Sequence, residues 1–493
     1  MDTITSAHGL VPLSTVATND QVELDSLPLE LQLELKRLKD DFTVDSKRLK
    51  HIVSQFQEEL QAGLDKYGSN ISMNATWVLG FPSGTERGKF LVVDLGGTNI
   101  RVCWIELRGR EEELLITQDE FRLPDELKTG EAQPLWDFIA DSLETFIAKH
   151  DLGGSEEEPL QLGFTFSYPC HQEYIDHGKL VTWTKGFEIK GVEGEDAVGQ
   201  LREAMAKRNL PIRLVALIND TTGAMIASSY TDPQTIIGAI FGTGCNGAYM
   251  ENVGSIGKLD TQLPQDTPMA INCEYGAFDN AHTALPRTSY DVTVDEESPK
   301  PGEQAFEKMS AGLYLGEIFR LILLELHGKG IMFKGQDVSK LREPYLLDTG
   351  FLSGVEHNAN PGMLFDSPTR DAFKQKLNLD ISDKEIVFVR RTAQLISIRG
   401  ARLCSCGIAA ICKKKGITSG HVAADGSVAN KHPEFKRRWA KAMAEVLDWP
   451  GDRKEDPITI TSAEDGSGIG AAVIVAMTLK RAKEGNLAGI REK

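Results

Sequence analysis

The apolar run Phe90-Leu91-Val92-Val93 ends in Asp94-Leu95-Gly96-Gly97-Thr98-Asn99, and a second run, Ile100-Arg101-Val102-Cys103-Trp104-Ile105, follows at once. Short apolar runs rich in branched residues read as buried strands. The order strand, glycine turn, strand separates this chain from dinucleotide-binding and Walker loops, whose glycines open into a helix. Glycines at the turn let a ligand approach the backbone, with N–H groups and the Thr98 hydroxyl facing it. Asp94 at the mouth of a phosphate turn implies a divalent cation between carboxylate and phosphate, since the two anions would otherwise repel. An ordinary hairpin turn with a surface Asp fits this stretch alone equally well.

The pattern returns about 145 residues further on. Residues 236–241 are apolar, Gly242-Thr243-Gly244-Cys245-Asn246-Gly247 turns, and 248–250 leaves as a strand. This suggests two similar halves, each presenting a glycine turn to a shared cleft. Between them lie buried strands at 160–166, ending in Ser167-Tyr168-Pro169, and at 212–218, ending in Asn219-Asp220-Thr221-Thr222-Gly223 before a small-residue helix at 224–229. Strand, polar cluster, helix places ligand groups at the carboxyl ends of strands in α/β sheets. Upstream, 1–25 reads as a polar tail and Leu31, Leu35, Leu38 and Phe42 mark a helical face. A second helix is expected after Thr43 as N-cap, with Leu49, Ile52, Val53, Phe56 and Leu60 inward. A strand at 111–116 should extend the hairpin, and 135–149, 303–326 and 384–415 read as helices. A strand at 458–463 leads into Glu464-Asp465-Gly466-Ser467-Gly468-Ile469-Gly470 and a helix to Lys483, whose glycine-rich start is a natural anion site.

At 493 residues two domains are expected. A net charge of -18 without a basic stripe disfavours nucleic acid or anionic membrane as partners, and Lys413-Lys414-Lys415 reads as a solvated helix end. Seven cysteines, mostly scattered and without zinc-type spacing, suit reduced thiols in the cytoplasm. No apolar run approaches ~18 residues, and the N-terminus lacks a basic-then-apolar pattern, so neither a membrane span nor secretion is indicated.

Two glycine turns, a Gly-Ser-Gly helix start and an adjacent acid together suit a triphosphate. Ser167, Thr184, Lys185, Asn219, Asp220, Asn246, Glu274 and Glu307, mostly neutral or acidic, suit a ligand with many hydroxyls. The segments LVVDLGGTNIRV, LGFTFSYP, WTKGF, LINDTTGAMIAS, FGTGCNGAYME, INCEYGAFDN, QAFEKMSAG and AEDGSGIGAA, in this order, resemble the eukaryotic hexokinase/glucokinase family, its fungal members most of all. The resemblance runs from about Leu29 to Lys483. It implies an α/β fold of two actin-like, ribonuclease H-like domains, small and large, around a deep cleft. By analogy 1–74 holds N-terminal helices of the large domain, 75–219 the small domain, 220–465 the large domain, and 466–493 a C-terminal helix returning to the small one.

The resemblance further implies an ATP-dependent kinase of the glucose 6-hydroxyl, the first step of glycolysis, working with Mg2+ as monomer or homodimer. Mannose and fructose stay open as substrates. Carried over by motif, Asp220 and Lys185 are catalytic, Asp220 as general base. The sugar would meet Ser167, Thr184, Lys185, Asn219, Asp220, Asn246, Glu274 and Glu307. The nucleotide would meet Asp94, Gly96, Gly97, Thr98 and Asn99 on one turn and Gly242, Thr243 and Gly244 on the other. Gly466 and Ser467 would border the adenosine end, with Thr349, Gly426 and Ser427 as further candidates, and Asp94 would hold Mg2+ through water. Departures from the family pattern are Tyr275 for a common Trp, Glu303 for the first of a Gln pair, and Leu313 for a common Met. They bear on affinity and sugar preference more than on reaction type. A non-catalytic sugar sensor on the same fold would show loss of Asp220, Asp94 or the Gly-Thr-Gly turn, and all three are intact. An actin-like assembly ATPase would leave Ser167, Thr184, Glu274 and Glu307 without a purpose. Trp183, beside Thr184, should report sugar binding through a change in the solvation of its indole.

Overall fold

The structure, a computed structural model, describes residues 24–184, 186–357 and 367–491. Lys185 and nearly all of the expected tail at 1–25 lie outside the described residues. In chain order the strands are β1 (Asn74–Leu79), β2 (Arg87–Leu95), β3 (Asn99–Arg108), β4 (Leu115–Arg122), β5 (Thr129–Glu131), β6 (Leu160–Phe166), β7 (Cys170–His171) and β8 (Lys179–Leu180). They continue as β9 (Glu188–Lys190), β10 (Ile212–Ile218), β11 (Thr235–Phe241), β12 (Cys245–Asn252), β13 (Pro268–Asn272), β14 (Gly420–Asp425) and β15 (Ile458–Ser462).

Two sheets carry the fold, one ordered β10-β6-β2-β3-β4 and the other β1-β13-β12-β11-β14-β15. Their plans match. In the first, hairpin β2–β3 is antiparallel, β4 extends it on one side, and β6 and then β10 join β2 in parallel. In the second, hairpin β11–β12 is antiparallel, β13 extends it, and β14 and then β15 join β11 in parallel. The recurrence of strand, glycine turn, strand thus marks the same corner of two like-built sheets, and β1 is an addition to the second. The mixed α/β fold is the actin-like, ribonuclease H-like one.

The parallel strands β6 and β10 are buried almost continuously, as parallel strands covered on both faces should be. Leu91, Val93, Phe164 and Phe166 pack with Trp136, Ile139, Leu143 and Leu201 from helices Ala132–Lys149 and Ala197–Lys207. Helix Ala471–Lys483 lies against β6 so closely that a Cβ on Gly163 would stand 3.1 Å from Val475 and 3.2 Å from Ala471.

The chain forms two compact units. One comprises the described residues up to Asp45 with Pro286–Pro301 and Lys308–Arg402, and contains no strand among the described residues. Its core holds an Arg399–Asp291 ion pair at 2.7 Å, sealed from solvent, with the guanidinium 4.4 Å above the Phe42 ring. The other unit, Ser46–Leu285, Gly302–Glu307 and the chain from Leu403, contains both sheets. The five-stranded sheet takes its strands from 87–218 and the six-stranded one from 74–79 and 235–462, so β1 stands across the expected boundary at 75.

Several local expectations need correcting. Thr43 closes helix Leu29–Phe42, its N–H and hydroxyl both donating to the Lys39 carbonyl, and the next helix starts at Ser46. The strand added to the hairpin runs Leu115–Arg122, four residues later than expected. The 303–326 stretch breaks at Ala311 into Ala305–Ser310 and Gly312–Gly328. Lys414 and Lys415 are not solvated: they reach the buried Glu251 carboxylate at 3.6 and 2.6 Å. Helix Asp383–Lys415 is long and apolar enough to span a membrane, contrary to the expectation of no such run, but 83% of its apolar window is buried inside the protein.

Candidate functional site

Strand β2 delivers Asp94 to the glycine turn, which is closed by Gly96 N–H donating to the Asn99 carbonyl at 3.1 Å. In this register Asp94 stands opposite Arg101. The guanidinium lies 3.7 Å from Asp94 and holds Asp465 in a fork, at 2.6 and 2.8 Å. Asp465 in turn accepts from the Gly468 N–H at 3.0 Å and so caps the π-helical turn Gly466–Gly470. The Thr165 hydroxyl, from β6, donates to the Ser467 carbonyl at 2.8 Å, while the Ser467 side chain bonds to Asp94. Burial pushes the Asp94 carboxyl up to about 6, against the pull of Arg101 and Ser467, and the nearby charges of Asp220 and Asp465 add to the rise.

Asp220 opens helix Asp220–Thr231, four residues earlier than expected. Asn219 is its N-cap, accepting from Thr221 N–H at 2.9 Å and Thr222 N–H at 3.4 Å. The Asp220 carboxylate takes Thr221 N–H at 2.7 Å and the Thr221 hydroxyl at 3.1 Å, which fixes its direction. Helix and π-helical turn approach closely at glycines 223, 466 and 470. A Cβ on Gly223 would sit 2.4 Å from the Gly466 carbonyl oxygen, and one on Gly470 would sit 2.2 Å from that of Gly223. These contacts bring the Asp220 helix against the Ser467 turn and so against Asp94.

The second glycine turn is closed by Gly242 N–H donating to the Gly244 carbonyl at 3.0 Å, with Thr243 exposed. Gly426, at φ +109, lies beside it, since a Cβ on Gly242 would be 3.1 Å from the Gly426 Cα. Behind the turn the Glu307 carboxylate accepts from Cys245 N–H at 3.0 Å. Asn246, Asn272 and Glu274 form a polar knot. Asn246 Nδ2 donates to Asn272 Oδ1 at 2.8 Å, and Asn272 Nδ2 donates to Glu274 Oε1 at 2.8 Å. Glu274 holds a left-handed backbone, φ +57, with its N–H on Asn246 Oδ1 at 2.9 Å.

Ser167 directly follows β6, and Thr184 lies in the loop between β8 and β9, its carbonyl accepting from Phe187 N–H at 3.2 Å. Lys185 is outside the described residues. Thr349 belongs to the other unit, where it starts helix Thr349–His357 and its hydroxyl donates to the Gly312 carbonyl. The Trp183 indole is 4% exposed, packed with Phe166, Tyr168 and Phe187, and donates to the Ile189 carbonyl at 3.0 Å. Arg101, Thr165, Asp465 and Asn272 are added by the structure. Arg101 had a readable signal, because counting outward from the four-residue turn 96–99 pairs 94 with 101. A cavity of about 990 Å³ lies elsewhere, at the amino ends of β11, β14 and β15. Two of its charged groups are paired, His421 with Asp232 at 2.5 Å and Arg453 with Asp456 at 2.7 Å.

Two like-built sheets, a glycine turn at the same corner of each, and a carboxylate at a helix start beside one of them define a phosphotransferase-type site of the actin-like fold. The chain belongs to the hexokinase family. Sequence profiles described as "Hexokinase" match residues 34–230 and 236–477. It is 54% identical to a hexokinase of Emericella nidulans over 472 residues, 95% of each chain. It is 51% identical to hexokinase-1 of Saccharomyces cerevisiae over 469 residues, 94% of this chain and 96% of that one. The solved hexokinase of Schistosoma mansoni complexed with glucose is similar with a TM-score of 0.81 and 32% identity, covering 93% of this chain and 99% of that one.

Proposed function

We propose that this chain transfers the γ-phosphoryl group of ATP to the 6-hydroxyl of glucose. The observation that carries the reading is the placement of Asp220. Its carboxylate is fixed at a helix start by two bonds from Thr221, and it lies within electrostatic reach of Asp94 at the first glycine turn. Glucose is favoured as acceptor by the glucose complex of the Schistosoma mansoni relative. The polyol-type groups Ser167, Thr184, Asn219, Asn246, Glu274 and Glu307 are read as its hydroxyl partners.

The primary hydroxyl is a weak nucleophile, and Asp220 accepts its proton as the oxygen attacks the γ-phosphorus and ADP departs. A positioned base is worth about 10²–10⁴ in rate. Backbone N–H groups of the two glycine turns and the Thr243 hydroxyl orient the phosphates and meet the charge that develops on them. The Asp94 carboxyl, raised to about 6 by burial and by Asp220 and Asp465, fits a divalent cation, which would relieve that crowding. Mg2+ held there through water would neutralise phosphate charge. Arg101 keeps Asp94 and Asp465 in place. Seven buried cysteines, none of them in a disulfide, support a reducing, cytoplasmic setting. A coupled assay of ADP release with and without glucose tests the reading. Release that depends on glucose is expected, and equal release without it contradicts sugar phosphorylation.

A further inference from the structure

Asn272, the last residue of β13, is 3% exposed and lies behind two of the groups read as sugar ligands. The direction of every amide in the knot follows from its neighbours. Asn246 Oδ1 accepts two backbone N–H groups, from Gly247 at 2.7 Å and Glu274 at 2.9 Å, so its Nδ2 must point the other way. That Nδ2 meets Asn272 Oδ1 at 2.8 Å, which leaves Asn272 Nδ2 to donate to Glu274 Oε1 at 2.8 Å. Turning Asn272 over would set amide against amide on one side and oxygen against carboxylate on the other. The backbone therefore fixes Asn246, Asn246 fixes Asn272, and Asn272 fixes the carboxylate. Asn246 Nδ2 also reaches Glu274 Oε1, at the longer distance of 3.3 Å. Its acceptor oxygen is fully used within the protein, so toward a ligand this amide can offer only a donor.

We propose that Asn272 is a positioning residue for sugar binding, which passes the orientation set by two backbone N–H groups to the Glu274 carboxylate without touching the sugar. The inference rests on the reading of Asn246 and Glu274 as sugar ligands. Removing one partner from a buried bond leaves the other unsatisfied, a loss large enough for about a tenfold effect on binding. Asn272→Ala should raise the KM for glucose about tenfold, with the KM for ATP and kcat at saturating glucose changed less than about threefold.

Asn272→Asp supplies a readout that mere packing would not move. A protonated Asp reproduces the Asn pattern, accepting from Asn246 and donating to Glu274. Ionised, it sets two carboxylates where Asn272 Nδ2 and Glu274 Oε1 now stand 2.8 Å apart, and such a pair resists losing its last proton. Among the described residues, the thiols of Cys170 and Cys273 also act on Glu274, both held protonated by burial, and the Glu307 carboxylate stands close by, on the Cys245 N–H next to Asn246. The Asp variant should therefore approach wild-type glucose KM near pH 6 and lose about tenfold toward pH 8.5, while the wild-type KM stays flat. Glu274→Gln is measured alongside. If it raises glucose KM while both Asn272 variants match wild type at every pH, Asn272 positions nothing. A pH-independent loss in Asn272→Asp that falls equally on kcat and on both KM values also overturns the proposal, as a packing defect. If Glu274→Gln itself leaves glucose KM unchanged, the sugar-site reading fails instead. Should the Ala variant not fold, the pH profile of the Asp variant decides alone.

Discussion

Asp94 and Asp220 are both acids at the end of a strand, yet their surroundings assign them different work. Asp94 is desolvated and crowded by carboxylates, so its proton affinity is raised to about 6 from an unfolded value near 3.8. Between those values the folded chain binds more protons than the unfolded one, so this group's contribution to stability falls as pH rises from about 4 through about 6 and stays lost above. Asp94→Asn removes that penalty. The ligand-free variant should melt about 2 °C above wild type at pH 8, with the gain shrinking as pH falls below about 6 and vanishing toward about 4, while turnover falls sharply. A variant that melts lower at pH 8 would mean that the Arg101 contact outweighs the desolvation. For Asp220→Ala, kcat should drop at least ~10² with the protein still folded; near-normal turnover would end its assignment as base. Asp94 was legible because it ends an apolar run at a glycine turn, and Asp220 because it follows one in the polar cluster Asn219-Asp220-Thr221-Thr222. Asn272 was not, since an Asn at a strand end has no pattern until the partner strand supplies Asn246.

At the scale of elements, the junction of helix Asp220–Thr231 with the Gly466–Gly470 turn transmits position to the base. The glycines at 223, 466 and 470 leave no room for a methyl group on either side. Gly223→Ala forces backbone apart rather than a flexible side chain, at a cost of about 1–3 kcal/mol. It should lower kcat more than it raises glucose KM; stability and kcat both at wild-type level would show the crossing to be slack. The loop carrying Trp183 behaves differently from its sequence reading. An indole already 4% exposed and hydrogen-bonded cannot be dried much further by sugar. Glucose without ATP should change fluorescence intensity saturably with little wavelength shift, and Trp183→Phe should remove most of that change. A large blue shift, or a signal untouched in Trp183→Phe, would place the reporter elsewhere. The strand order of each sheet was only half visible in sequence. Apolar runs marked β2, β3, β6, β10, β11, β12 and β15, but β1, β13 and β14 were not read from the sequence, β4 was expected four residues too early, and the early start of the Asp220 helix was missed. The polar alternation of β4 and the cap at Asn219 hide the apolar signal on which such readings depend.

For the whole molecule, the account joins two repeats of one sheet plan to one reaction. The recurrence of the glycine turn foreshadowed that plan. Which of the two units Thr349 belongs to could not be read from the sequence, because unit membership depends on long-range packing. If the sugar groups act together, glucose alone should raise the melting temperature in proportion to the logarithm of its concentration above Kd, by the equivalent of about 2.7 kcal/mol at a hundredfold excess. The central claim is that sugar and base complete one catalytic site. It is tested most directly by following ADP release in wild type and Asp220→Ala, with and without saturating glucose, after calorimetry has established how each binds the sugar. The account predicts rapid release in wild type only with glucose, and a loss of at least ~10² in the variant even where glucose is bound. Release by wild type that ignores glucose, or a glucose-bound Asp220→Ala variant that turns over like wild type, would contradict it.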